Sequence, residues 1–317
     1  MPNDKGRDRW TVGSHEAGLR LDKYLAAVDR VGSRSRALSA LERGKVFVNE
    51  EEAGPDDAAR CLAAGDAVRL WVDRPGSSRA RREPTDIGNL RIVFEDDDLF
   101  VVEKPAGMLT VPLERRGTSG SAFELLKAHV PKGATRHLAV VHRIDEYTSG
   151  LVVFARHALA RDRLKEQFRS RTAERVYAAV VYGHPQPSEG TWRDHLVWDD
   201  RAMVQKVTRP QDPMGKEAIS YYRTLERFAT TSLIEVRLET GKRNQIRLQA
   251  RLRGHTLVGE QRYVFGPEEL RPIDFWRQAL HARRLAFAHP RDGRPLQLES
   301  PLPRDMEDLI AQLRRRT

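Results

Sequence analysis

Apolar and polar positions along this chain follow two different periods, and the changes between them divide it. Leu19, Leu21, Tyr24, Leu25 and Val28 recur at the spacing of one helical face. Ser33 stands where a side chain would cap a second helix carrying Leu38 and Leu41, and Gly44 stands where that helix would end. Val46 and Val48, then Val68, Leu70 and Val72, alternate with the period of half-buried strands, and Gly65-Asp66 marks a turn between them. Apolar residues then almost vanish in a stretch that begins RPGSSRARREPT at Arg74. The pattern predicts a disordered polar tail over 1–10, a small α/β domain over 11–73, a basic linker over 74–86 and a larger domain over 87–317.

From Leu90 onward the signals are continuous. Arg91–Glu95 and Leu99–Glu103 read as strands around the acidic turn Asp96-Asp97-Asp98. Further strands are expected at 150–155, 175–182, 217–225, 232–238 and 283–288, and helices at 121–130, 157–169, 243–253 and 303–315. Strands outnumber helices and do not alternate strictly with them. The expected class is therefore α+β, with a mixed, largely antiparallel sheet and flanking helices, not a doubly wound sheet. No internal repeat with a fixed period is visible.

Composition adds a partner. The 317 residues are 39% hydrophobic, enough for a packed core, and 32% charged, with a formal net charge of +10. That excess favours a polyanion such as RNA, DNA or an acidic membrane surface. The basic residues are spread along the chain and not gathered on one amphipathic helix. No apolar run reaches the ~18 residues of a membrane helix, and the polar first residues lack the apolar stretch of a secretory signal. These features favour nucleic acid over membrane. Cys61 is the one cysteine, which excludes an intrachain disulfide, argues against a cysteine zinc site and fits a reducing cytoplasm. Its Ala/Leu-rich surroundings read as core.

Neither glycine-rich phosphate loop is present: there is no G-x-G-x-x-G and no G-x-x-x-x-G-K-[ST]. H-E-x-x-H and G-x-S-x-G are missing too, so no cofactor and no metal are expected. What remains is one dense polar cluster, His142 to Ser149, between the apolar runs Leu138–Val141 and Leu151–Ala155. Polar groups wedged between buried strands need partners, and loops held by a rigid sheet commonly carry function.

Within that cluster His142-Arg143-Ile144-Asp145, followed by Thr148-Ser149-Gly150-Leu151, resembles the H-R-[LI]-D-x-x-T-S-G-L motif of RluA-like RNA pseudouridine synthases. Other segments match the family in order: Lys104-Pro105-Ala106-Gly107, Arg175-Val176-Tyr177, Leu238 to Arg247, and Gln278-Ala279-Leu280-His281-Ala282. The resemblance covers about residues 87–300. Asn244 and Lys242 stand where the family often has histidine and arginine. Ser33-Arg34-Ser35-Arg36, Gly44 to Asn49 and Gly65-Asp66 resemble the S4-like RNA-binding module of a ribosomal small-subunit protein, with Glu50 where a glycine is usual.

The resemblance implies isomerisation of uridine to pseudouridine within folded RNA, chemistry that adds and removes no atoms and requires no cofactor. It implies that Asp145 is the essential carboxylate, Tyr177 the aromatic against the base, Arg247 the partner of Asp145, and Arg143 the side chain that fills the gap left by the flipped nucleotide. His142 reads as structural and Glu146 as a solvated charge. Arg34, Arg36, Arg43 and Lys45 are expected to contact phosphates. Large-subunit ribosomal RNA is the first expectation for the substrate, and a cytoplasmic monomer for the enzyme. Transfer RNA, or a ribosome assembly factor whose catalysis is dispensable, are the alternatives.

Overall fold

The computed structural model describes residues 9–42, 44–71, 84–112, 120–130, 138–264, 267 and 271–316. The chain divides into two compact units, Met1–Arg82 and Glu83–Thr317. The smaller contains β1 (Arg9–Thr11), α1 (Leu21–Leu25), α2 (Arg34–Glu42), β2 (Val46–Val48), β3 (Glu51–Ala53), a 3-10 turn at Pro55–Ala59 and β4 (Ala67–Leu70). Its strands form an antiparallel sheet in the order β1-β4-β2-β3. Leu21, Tyr24 and Leu25 from α1 and Ala37 and Leu41 from α2 share a core with Val46, Val48 and Val68.

Several details differ from the reading of the sequence. Arg9 and Trp10, expected in the tail, pair with Arg69 and Val68 as the first strand of this sheet. The first helix is shorter than its apolar spacing, because Leu19 and Arg20 run extended beside Cys61 and Leu62; Leu19 and Val28 are exposed. Neighbours on an extended segment point to opposite sides. Leu62 takes the inward direction there, so Cys61 is exposed and not part of the core. Ser33 Oγ does accept the Arg36 N–H at 3.2 Å, as a cap should. Asn49 and Glu50 are both left-handed, as a two-residue hairpin turn requires, and glutamate tolerates this less well than glycine.

The larger unit contains β5 (Thr85–Ile87), β6 (Leu90–Glu95), β7 (Leu99–Lys104), α3 (Ala122–His129), β8 (Ala139–Val140), β9 (Ser149–Ala155), α4 (Ala158–Arg169) and β10 (Glu174–Tyr182). It continues with β11 (Glu189–Asp199), β12 (Val204–Thr208), β13 (Lys216–Arg227), β14 (Thr231–Leu238), α5 (Gln245–Leu252), β15 (Leu280–Ala288), β16 (Pro295–Glu299) and α6 (Arg304–Arg315). The strands run β12-β11-β13-β14-β10-β15-β9-β7-β6-β5, with β8 beside β9 and β16 beside β15. Only β9 with β15 is parallel among these pairings. This is the expected α+β class. Thr85 and Asp86, expected in the linker, open β5 and pair with β6. Residues 1–8 of the tail, 74–83 of the linker, Val72 and Arg43 lie outside the described residues.

Both faces of the central sheet are covered, which is why β9 is apolar without interruption. Phe100, Val102, Val152, Phe154, Ala179 and Val181 face Ala122 and Leu126 of α3 and Ile246 and Ala250 of α5. Their neighbours Leu99, Val101, Leu151 and Val153 face Ala160 and Leu164 of α4. Ala178 and Val180 face Met306, Leu309, Ile310 and Leu313 of α6. The parallel pair places Gly150 against β15, and a Cβ at Gly150 would sit 2.2 Å from the Ala282 carbonyl oxygen. Asp96 and Asp98 of the acidic turn bond His289, His157 and Arg291, fastening the β6–β7 turn to α4 and to the β15–β16 turn. No helix among the described residues is long and apolar enough to cross a membrane.

Candidate active site

The adjacent strands β14, β10, β15 and β9 bring their ends together with the start of α5. A cavity of about 610 Å³ lies there, lined by residues that include Arg143, Asp145, Tyr177, Lys242, Asn244 and Arg247. Sequence had singled out four of these six as site residues. Arg34, Arg36 and Lys45 belong to the smaller unit.

The backbone around Asp145 is fixed from behind. Lys104, 1% exposed, donates to the carbonyls of Pro105, Met108 and Glu146 at 2.9, 2.7 and 2.9 Å. Three acceptors occupy all three ammonium N–H groups. Burial pulls this ammonium down to about 7, against the opposing pull of the Asp145 charge. Thr110 Oγ1 donates to the Ile144 carbonyl at 2.9 Å, the Gly107 N–H to that of Glu146 at 2.9 Å, and Arg277 Nη1 to that of Tyr147 at 3.3 Å. Residues 142–147 are a loop between β8 and β9, held in place at Ile144, Glu146 and Tyr147 by these bonds.

The Asp145 carboxylate accepts two bonds, both on Oδ2: from Asn244 Nδ2 at 2.6 Å and from Arg247 Nη1 at 3.1 Å. Among the described residues Oδ1 accepts none. Arg247 is oriented by a second acid, because its Nε and Nη2 donate to Glu260 at 2.7 and 2.6 Å. Burial opposes the Glu260 charge, but the Arg247 bonds and the Arg262 and Tyr263 N–H groups outweigh it and hold the carboxyl below its ordinary range. Burial likewise opposes the Arg247 charge, and the Glu260 and Asp145 carboxylates more than compensate, raising its pKa. Asn244 sits left-handed at φ 51° immediately before α5, a conformation asparagine tolerates.

Tyr177 on β10 lies opposite Val236 of β14 and Ala282 of β15 and is 7% exposed. Burial pushes its phenol up to about 12, so it is a neutral phenol at physiological pH. Arg143 is exposed at the cavity wall. His142 is structural: its Nε2 accepts the Val153 N–H at 3.1 Å, its ring stacks on Phe168, and burial lowers it to about 3.

A family model for RNA pseudouridylate synthase matches residues 98–252. The uncharacterized RNA pseudouridine synthase YlyB of Bacillus subtilis is 36% identical over 310 residues, which span 96% of this chain and 97% of that one. The chain belongs to the RNA pseudouridine synthase family. The ribosomal large subunit pseudouridine synthase D of Neisseria meningitidis serogroup B is 35% identical over 313 residues, 96% of this chain and 81% of its own. The solved structure of human RNA pseudouridylate synthase domain containing 4 has the same fold over 70% of this chain and 92% of its own, with a TM-score of 0.57 at 22% identity. This synthase is therefore an isomerase with an RNA substrate.

Three side chains that act on Asp145 or its loop were not legible as site residues. Asn244, which stands out in sequence as a departure that could change substrate contacts, bonds the Asp145 carboxylate itself. Glu260, the second acid on Arg247, was not singled out by the sequence at all. Arg277, directly before the matched Gln278, is 1% exposed and joins the Asp145 loop to Asp305 of α6.

Proposed function

We propose that this synthase isomerises specific uridines in large-subunit ribosomal RNA and that Asp145 is its catalytic carboxylate. In the reaction the N1–C1′ bond breaks, the base turns, a C5–C1′ bond forms, and a proton leaves C5 while N1 gains one. Positive charge develops on the sugar as the first bond breaks, and a carboxylate at the cavity stabilises it. The observation that carries the reading is the one-sided bonding of Asp145, with Arg247 and Asn244 on Oδ2 and Oδ1 accepting no bond from a described residue. Tyr177 offers a neutral aromatic face for the base, and Arg143 a planar cation for the space a flipped nucleotide leaves.

The smaller unit acts, in this reading, as an S4-like RNA-binding module. Arg36, Arg43 and Lys45 contact phosphates. Arg34 spends two donors on Asp22 yet keeps 56% of its side chain exposed. The Neisseria relative, a ribosomal large subunit pseudouridine synthase by name, supports the ribosomal substrate.

The test is pseudouridine mapping by carbodiimide-adduct primer extension on ribosomal and transfer RNA from cells with and without the gene. Rescue uses wild type or Asp145→Asn. One or more stops in large-subunit RNA are expected to vanish on deletion and return only with wild type. A stop restored by Asp145→Asn would sink the role of Asp145. Stops changing in transfer RNA alone would move the substrate.

A further inference from the structure

The cavity holds positive charge that the Asp145 side does not use. Arg175 precedes Tyr177 by two positions on β10, so both leave the strand on one face, about 7 Å apart. Both line the cavity. Arg175 is 8% exposed, and no carboxylate among the described residues lies within ion-pair distance of it. Its Nη2 makes one long bond, 3.4 Å, to the Glu239 carbonyl. Its Nε is buried with no acceptor among the described residues.

The chain makes room for this group. A Cβ at residue 241 would lie 2.2 Å from Arg175 Nη1, so the guanidinium rests on the bare backbone of Gly241. The next residue, Lys242, lines the same cavity. Burial and then the charges of Lys216, Arg171 and Arg175 hold its ammonium below the ordinary range. Arg171 is different, being tied to Glu239 and Glu217. A buried guanidinium without a counter-charge destabilises the empty protein. Such a group is explained when a ligand brings the missing anion, and the planar fork of arginine matches a phosphate.

We infer that Arg175 and Lys242 form a subsite for a backbone phosphate adjoining the target uridine, with Arg175 as the buried fork and Lys242 as a point charge beside it. The inference rests on the Asp145 cavity being the uridine site. A phosphate held there sets the nucleotide's register against Asp145 before bonds change. Its contribution is made equally to bound substrate and transition state, and so falls on KM more than on kcat.

The test compares full-length wild type, Arg175→Met, Lys242→Met and Asp145→Asn. The RNA is large-subunit ribosomal RNA from cells lacking the gene. Kd is measured across a salt series, together with kcat, KM and Tm. Each cation variant is expected to raise Kd and KM about tenfold and to reduce the slope of log Kd against log salt by about one. Arg175→Met is expected to raise Tm of the free protein by about 2–4 °C, because an unpaired buried charge is gone. Unchanged Kd and salt slope in both variants would overturn the subsite, as would a lower Tm in Arg175→Met with its slope unchanged. Asp145→Asn separates the two readings. If it still turns over, the carboxylate assignment fails while the salt slopes continue to judge the phosphate subsite.

Discussion

Each unit of the chain builds an aspartate–arginine cluster, and the two are built to opposite ends. In the smaller unit Asp22 has a side chain with 0% exposure, and two arginines serve it: Arg20 through Nε and Nη2 at 3.1 and 3.0 Å, Arg34 through Nε and Nη2 at 3.0 and 2.8 Å. Both oxygens are taken and no ligand can reach them. In the larger unit the ratio is inverted, with Asp145 and Glu260 sharing Arg247. Glu260 is the buried acid that saturates the arginine, while Asp145 keeps 26% of its side chain exposed. A structural carboxylate is surrounded by donors. On the function proposed above, Asp145 is oriented for chemistry through one oxygen, and Glu260 fixes its arginine from the other side.

The largest expected effect breaks the second cluster. Arg247→Met strands Glu260 as a buried, unpaired charge and should lower the unfolding free energy by about 3–5 kcal/mol, read by urea denaturation. Replacing Glu260 by Met as well should restore most of that stability but not turnover. If the double variant regained activity, Arg247 would not be needed to orient Asp145. A smaller effect is expected in the first cluster. Asp22→Asn should cost about 2 kcal/mol of local stability in the smaller unit, seen as faster hydrogen exchange over residues 21–42, with the cavity segments unchanged.

The same pair gives a pH test. The bond from Arg20, with the help of Arg34 and against burial, holds the Asp22 carboxyl below its ordinary value. The folded state thus releases its proton more readily than the unfolded chain. The stabilisation is present above the unfolded value and is lost as pH falls through the folded one. The exchange difference between wild type and Asp22→Asn should therefore be full at neutral pH and shrink in acid. A difference that grew in acid would contradict the ion pair. The smallest effect sharpens the contrast at Asp145: Asn244→Ala removes one of its two donors and should reduce kcat about tenfold with little change in RNA affinity.

Much of this was written locally. The uninterrupted apolar run Leu151–Ala155 marked a buried strand, and the lone polar cluster before it contains Asp145, which lines the cavity. The family motifs carried Tyr177 and Arg247. The strand at Arg9–Thr11 was not legible, since its three residues are polar or aromatic and owe their state to pairing with Ala67–Arg69. The exposure of Cys61 was missed for a related reason: an Ala/Leu-rich stretch does not say which of two neighbours turns inward.

Periodicity and composition, properties of near neighbours along the chain, determined the α+β class, the apolar faces and the basic character of this protein. Tertiary structure alone decided which distant side chains meet. Asn244 reaches Asp145 across 99 positions and Arg247 across 102, and Arg175 comes to rest on Gly241 with its Nε buried and without an acceptor among the described residues. Those meetings follow from the order of the strands β14-β10-β15-β9, and strand order is set by the burial of whole faces against one another, which no local pattern encodes.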